Sequence, residues 1–203
     1  PGAYGDLVIY NRTFPDRLTI KAADPASPPV FNSGLLRSVD GVSLEGLSFA
    51  FQPTMTTPEN QNVVAIEASK NVTLTGCNIS AGMAINGVPE TATVGDAFGT
   101  VTGWPLGRGV YVQLSSGVTV SGCEVWNVQR GIAFYKASGL TIEGTYVHDV
   151  RRTFILGDAC DLTIRGNRLW GSKPWRWGRP ASATACAWWT PWATRRAATW
   201  RTK

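Results

Sequence analysis

Internal repetition limits what this chain can fold into more than any other feature of its sequence. Five segments align without gaps: Val42-Ser-Leu-Glu-Gly46, Val72-Thr-Leu-Thr-Gly76, Val118-Thr-Val-Ser-Gly122, Leu140-Thr-Ile-Glu-Gly144 and Leu162-Thr-Ile-Arg-Gly166. Leu18-Thr-Ile-Lys-Ala22 is a sixth, with Ala in place of Gly. Each reads apolar, Ser or Thr, apolar, polar, small, the two-residue alternation of a strand with one buried face. The small residue suits a tight bend, where Gly tolerates a positive φ. A second short strand follows the bend, as in Cys123-Glu-Val-Trp126 and Thr145-Tyr-Val-His148. A third precedes each motif, at 63–67, 110–113, 132–135 and 154–156.

Three strands with bends between them make one lap of a solenoid. Successive glycines stand 30, 46, 22 and 22 residues apart, and Ala22 stands 24 before Gly46. A unit of 22–24 is too short for helix-pair repeats and lacks the Leu/Asn frame of leucine-rich repeats. It fits three strands of about 4 residues plus turns. Laps then stack about 4.8 Å apart through parallel hydrogen bonds. The expected inward columns are Val64, Val110, Ile132, Phe154; Ile66, Val112, Phe134, Leu156; and Val72, Val118, Leu140, Leu162. Each such side chain contributes roughly 1.5–3 kcal/mol when buried, so a stack is stable where a single lap is not. At 43% hydrophobic and 16% charged residues the chain can supply that core. No apolar run reaches the ~18–20 residues of a membrane helix.

The repeats GVTVSGCEVWNVQRGIAFYKAS and GLTIEGTYVHDVRRTFILGDAC resemble those of parallel β-helix proteins of the pectate-lyase-like superfamily. The resemblance covers about residues 5–170. It implies an all-β fold, a single-stranded right-handed parallel β-helix of about six coils of 22–24 residues. The front, PGAYGDLVI followed by LTIKAADPASPPVF, resembles the first coils of alginate and chondroitin lyases in that superfamily. The activities implied are those of polysaccharide lyases and related hydrolases or epimerases, at the cell surface or outside the cell.

Function is expected where the unit length is broken. Eight extra residues lie between Phe49 and Val63 (FQPTMTTPENQN), and 24 lie between Ile79 and Arg108 (SAGMAINGVPETATVGDAFGTVTGWPLG). Both fall at one turn and so overhang one face, where solenoids commonly bind. Neutral surface insertion is the plainer reading, and the larger insert has room for a degenerate coil.

The same turn carries charge. Arg108, Arg130 and Arg152 share one register, ten residues before Val118, Leu140 and Leu162. Stacked like charges repel unless an anion or carboxylate lies between them. Asn127, Gln129, His148, Asp149 and Arg151 are close in sequence, and strand parity turns Glu67, Tyr111, Gln113 and Tyr135 outward. Together they outline a groove suited to an acidic polysaccharide, with guanidinium forks for carboxylates and flat rings for sugar faces. Alternatively, the arginines pair with Asp149 and Asp158 and cap the turns.

β-Elimination on a uronate needs the carboxylate neutralised by Arg or Ca²⁺, a base for the C5 proton and an acid for the leaving oxygen. Arg130 and Arg152 are the candidate neutralisers; Tyr135, Lys136 and His148 are the candidate proton carriers. Arg108, Asn127, Asp149, Arg151, Glu67, Gln113 and Tyr111 are the candidate substrate-binding residues. No residue matches the superfamily's catalytic Lys/Arg motif or its acidic Ca²⁺ cluster. No cofactor is therefore evident, and Ca²⁺ is left open. A hydrolase would need paired carboxylates across a sugar-width gap, and Asp149 with Asp158 is the only nearby pair.

His148 is the single histidine, which excludes a multi-histidine metal site. It shares a column with Trp126 and Trp170, and reads first as a flat side chain stacked along the solenoid. The four cysteines include no CxxC pair, and so no zinc site. Cys77 and Cys123 share one repeat position, where stacked thiols and a disulfide fit equally well. Cys160 and Cys186 have no evident partner. Asn11, Asn71 and Asn78 open matches to the glycosylation pattern, two of them within or beside strands.

Residues 171–203 break the pattern. They hold no Val, Ile, Leu, Met, Phe or Tyr, but six of the nine tryptophans. They carry 7 Lys/Arg and no acid, whereas residues 1–170 carry 12 Lys/Arg and 14 Asp/Glu, so the net charge of +5 belongs to the tail. A nucleic-acid protein would spread basic residues over its folded surface; neither a nucleic-acid nor a membrane partner is expected. Continuing the frame puts Arg176 and Gly178 at inward positions, so residues 1–170 are expected to form the β-helix and 171–203 to lie outside it. A cap, or a membrane- or nucleic-acid-seeking segment, is an alternative for the tail. Its Ala, Arg, Trp, Thr and Pro mixture is what an out-of-frame reading of a GC-rich gene yields. The chain opens at Pro1 without Met or a leader, as a processed protein or a fragment would.

The functional expectation is an extracellular β-helix that binds an acidic polysaccharide and, if active, cleaves it by β-elimination. The alternative is a non-catalytic β-helix module of a phage tail-spike or surface adhesin.

Overall fold

The computed structural model describes residues 2–52, 57–58, 60–81, 93–96, 99–102, 107–150, 152–170 and 184–188, with 93–96, 99–102 and 184–188 described by backbone. Every regular element among them is a strand. β1 (Ala3–Tyr4), β2 (Leu7–Lys21), β3 (Val30–Phe31), β4 (Gly34–Glu45) and β5 (Ser48–Phe51) form the first laps. The next lap is β6 (Asn62–Glu67), β7 (Lys70–Thr75) and β8 (Asn78–Ala81). After β9 (Thr93–Asp96) and β10 (Gly99–Thr102) come β11 (Arg108–Gln113), β12 (Thr119–Ser121) and β13 (Glu124–Trp126). Then follow β14 (Arg130–Ser138), β15 (Thr141–Glu143) and β16 (Tyr146–His148), and β17 (Thr153–Cys160), β18 (Thr163–Arg165) and β19 (Arg168–Trp170). β20 (Thr184–Trp188) opens a further lap.

The lap-to-lap pairings are parallel and build three faces. The first face carries β6, β11, β14, β17 and β20. The second carries β7, β12, β15 and β18, and the third is the seven-stranded sheet β1-β3-β5-β8-β13-β16-β19. β2 and β4 run through the corner between the first two faces without a break, so their halves pair on both, as Tyr10↔Arg37 and Thr19↔Ser43 do. The structure is thus an all-β parallel solenoid with three strands per lap.

The apolar positions of the repeat form the interior. On the third face, Phe31, Phe49, Ile79, Val125, Val147 and Leu169 are in register. On the second, Ile20, Leu44, Leu74, Val120, Ile142 and Ile164 are. Leu44, Leu74, Val120 and Ile142 are wholly buried. The repeat glycines do what their motif position requires: Gly76, Gly122 and Gly144 turn the corner at φ of 59°, 58° and 55°, a region costly for a side chain with a Cβ.

The last complete lap departs from the 22-residue frame. Ile132 pairs with Ile155 and Phe134 with Gly157, a step of one residue beyond the expected Phe154 and Leu156. Volume accounts for the slip. A Cβ on Gly157 would run into the carbonyl oxygen and ring of Phe134, so Leu156 in that place would overfill the column. The frame is regained at Ala137↔Ala159.

Two further expectations meet the structure here. The larger insert is no extra coil, because β11 pairs directly with β6 (Val110↔Val64). Its described part is an antiparallel pair of β9 and β10. Within 171–203, residues 184–188 form β20 and pair parallel with β17 (Ile155↔Cys186), so that strand extends the first face. The rest of the stretch lies outside the described residues.

Candidate functional site

The outer surface of the first face gathers most of the candidate binding residues. Parity along β6, β11 and β14 places Glu67, Gln113 and Tyr135 in one row, which Arg37 of β4 extends. Arg37 is not free for a ligand: its Nε donates to Glu67 Oε2 at 2.8 Å and its Nη2 lies 2.7 Å from the same oxygen. Tyr135 is 44% exposed, with the Lys136 ammonium 5.2 Å from its ring centre.

A second row sits at the entry to the same strands. Arg108 and Arg130 pair in register, flanked by Asn62 and Thr153. The Arg108 guanidinium lies over the Tyr111 ring, 3.7 Å from its centre, and its Nη2 donates to the Asn60 carbonyl at 2.8 Å. Its Nε is buried without a partner, as are Asn62 Oδ1 and Thr153 Oγ1 of the same row. Arg152 does not join: the one-residue slip puts Thr153 beside Arg130. The Arg152 amide instead donates to the Gln129 carbonyl at 2.8 Å.

The turn itself holds Asn127, 4% exposed and at φ 57°. Its Nδ2 donates to the Ala81 carbonyl at 3.1 Å, which ties the turn to the preceding lap. Arg151 lies outside the described residues.

His148 and Asp149 belong elsewhere. They sit on and just after β16, on the third face, away from the strand that carries Tyr135 and Lys136. His148 Nε2 is 3.2 Å from Glu124 Oε1, and its Nδ1 is 3.0 Å from Asp149 Oδ2. Both nitrogens donate at once only in the doubly protonated ring. The ring stacks on Tyr146, with centroids 4.3 Å apart, and lies parallel to Trp126 at 6.0 Å. Glu124 is fixed in turn by Asn78, whose Nδ2 donates to Oε2 at 2.6 Å, and Trp126 Nε1 donates to Asn78 Oδ1 at 3.0 Å. The Arg168 guanidinium lies over the Tyr146 ring, 4.8 Å from its centre.

The described candidates therefore do not form one site: Glu67, Arg108, Tyr111, Gln113, Arg130, Tyr135 and Lys136 belong to the first face, His148 and Asp149 to the third, and Asn127 and Arg152 to the turn between them. Sequence reasoning missed Glu124, Asn78 and Arg37. The signal for the first was available: Glu124-Val-Trp126 and Tyr146-Val-His148 hold the same repeat position, and diagonal neighbours two residues apart on adjacent strands meet. Among the described residues no group of three or more His, Cys, Asp or Glu side chains is arranged to hold a metal ion. They therefore offer no acidic cluster fitted to Ca²⁺.

The family described as a right-handed β-helix region matches residues 35–188, a span that takes in all three faces. The chain belongs to that family. A chain solved as a "putative glycosyl hydrolase" from Parabacteroides merdae ATCC 43184 is 9% identical; the match covers 75% of this chain and 78% of that one, with a TM-score of 0.37. QnrB1, a plasmid-mediated fluoroquinolone resistance protein, is 11% identical over 80% of this chain and 91% of its own, with a TM-score of 0.15. At those scores neither likeness bears on what this β-helix does. No curated protein matches the sequence.

Proposed function

We propose that this β-helix is an extracellular carbohydrate-active protein that binds an acidic polysaccharide across the outer surface of its first face. One observation carries the reading: Arg108 and Arg130 stand in register on neighbouring laps, with Tyr111 beneath Arg108. Parallel pairing holds their backbones about 4.8 Å apart, so the two cations reinforce one another's field at one edge of the face. A uronate carboxylate seated there would gain charge-assisted hydrogen bonds. Tyr135 and Gln113, further along the same strands, would meet the ring and hydroxyls of the sugar.

For cleavage by β-elimination, Arg130 would neutralise the carboxylate, and Tyr135 or Lys136 would move the proton. The geometry favours binding over cleavage in one respect: both ring nitrogens of His148 are engaged by carboxylates on another face, so it does not serve this surface as a base. A non-catalytic binding module of an adhesin or tail-spike is the second reading. Incubation with a panel of polyuronates and neutral glycans tests both, with binding and ultraviolet absorbance followed together. Binding confined to polyuronates supports the proposal, and absorbance from unsaturated product assigns it as a lyase. Binding without absorbance favours the module, and no binding to any polyuronate overturns the proposal.

A further inference from the structure

We infer that Cys77 and Cys123 are the two halves of an inter-lap disulfide, formed in an oxidising environment, that staples together the laps on either side of the larger insert. The inference stands apart from the proposed polysaccharide face. The two cysteines hold equivalent positions just after the corner glycine on neighbouring laps. Backbone hydrogen bonds fix that neighbourhood on both sides, Gly76 N–H to Ser121 O at 2.9 Å and Glu124 N–H to Cys77 O at 2.9 Å. Parallel neighbours about 4.8 Å apart fall inside the Cα range that a disulfide spans, roughly 4.4–6.8 Å. Both side chains point into the interior, 1% and 2% exposed.

The two thiols are also chemically unlike. The hydrogen bond from the Cys123 thiol pulls Cys77 below the ordinary thiol range; the same bond, with burial, pushes Cys123 well above it. Once a thiol of the pair ionises, its sulfur is the nucleophile of the exchange. The Cys77 thiolate attacks a small-molecule disulfide such as oxidised glutathione, releasing one glutathione thiolate and leaving a mixed disulfide. The Cys123 sulfur then attacks Cys77 Sγ and expels the second glutathione. Two thiol protons leave, the cysteines are oxidised, and one glutathione disulfide is reduced to two thiols. Because both sulfurs are buried in the finished solenoid, the exchange belongs to folding or to transient opening of these laps.

The column itself supplies a conservative control. Thr145 follows Cys123 in it, and its hydroxyl donates to Val120 O and Glu143 O. The thiols make the equivalent contacts, Cys77 to Leu44 O and Thr75 O, and Cys123 to Leu74 O and Ser121 O. Threonine should therefore fold at either site without the cross-link.

The test is to refold the full chain in oxidised and reduced glutathione, then digest it without reduction and map the peptides by mass. The expected result is a linked pair containing Cys77 and Cys123 that is lighter by two hydrogens. The oxidised protein should melt higher than the reduced one, a difference absent in C77T/C123T. Free, alkylatable thiols at both positions after oxidative refolding, or links only to Cys160 or Cys186, overturn the inference. So does an equal oxidative shift in C77T/C123T.

Discussion

The imidazole of His148 bridges Glu124 and Asp149, with Nε2 3.2 Å from Glu124 Oε1 and Nδ1 3.0 Å from Asp149 Oδ2. Its flat face meanwhile stacks on Tyr146 and runs parallel to Trp126. The side chain thus has two separable jobs, one as a polar bridge and one as a plate. Replacing it with Phe keeps the plate and removes the bridge; replacing it with Ala removes both. Partly exposed polar contacts of this kind are worth about 1 kcal/mol or less, and ring stacking adds about 0.5–1.5 kcal/mol. H148F is therefore expected to lie within about 1 kcal/mol of wild type, and H148A about 1 kcal/mol below H148F. Urea denaturation measures the difference, and equal stability of the two variants would show that the stack contributes nothing.

Gly157 is as small as it is because Phe134 occupies the column in the lap before it. G157A should destabilise the solenoid by about 1–3 kcal/mol through overpacking. Trimming the partner in G157A/F134L should recover the share that comes from the ring, while the clash with the Phe134 carbonyl oxygen stays. A double-mutant cycle reads the coupling; strictly additive effects would assign the whole loss to the carbonyl and none to the ring.

Leu114 is 56% exposed and held at φ 50°, a region that costs a residue with a Cβ about 1–2 kcal/mol. Asn adopts it more readily, so L114N should raise the melting temperature, reflecting a gain of about 0.5–1 kcal/mol. A lower melting temperature would show that the exposed Leu side chain makes contacts worth more than the backbone strain.

The lap was legible in the sequence because three signals coincide in each unit: period-two alternation, a glycine bend and a fixed spacing. The same signals gave the Arg108–Arg130 pairing, since the interval between those laps is an unperturbed 22 residues. They failed at Phe154-Ile-Leu156, where three consecutive apolar residues leave parity undecided. Volume against Phe134, rather than spacing, then sets the register and moves Arg152 out of its row. The Glu124–His148 contact was missed for a different reason. It is diagonal, and residue-by-residue columns show only direct neighbours. The continuous course of β2 and β4 around a corner leaves no punctuation in the sequence at all.

An acidic polysaccharide is proposed to meet the paired arginines of the first face, and not the carboxylate-flanked histidine of the third. Calorimetric titration of an oligouronate into wild type, R108A/R130A and E124Q/D149N tests this most directly. Each lost charge-assisted hydrogen bond costs about 1.5–3 kcal/mol. R108A/R130A, which loses such a bond from each arginine, should therefore bind about a hundredfold more weakly or worse, with a flatter dependence on salt. E124Q/D149N should stay within about twofold of wild type. Undiminished affinity in R108A/R130A would contradict the account.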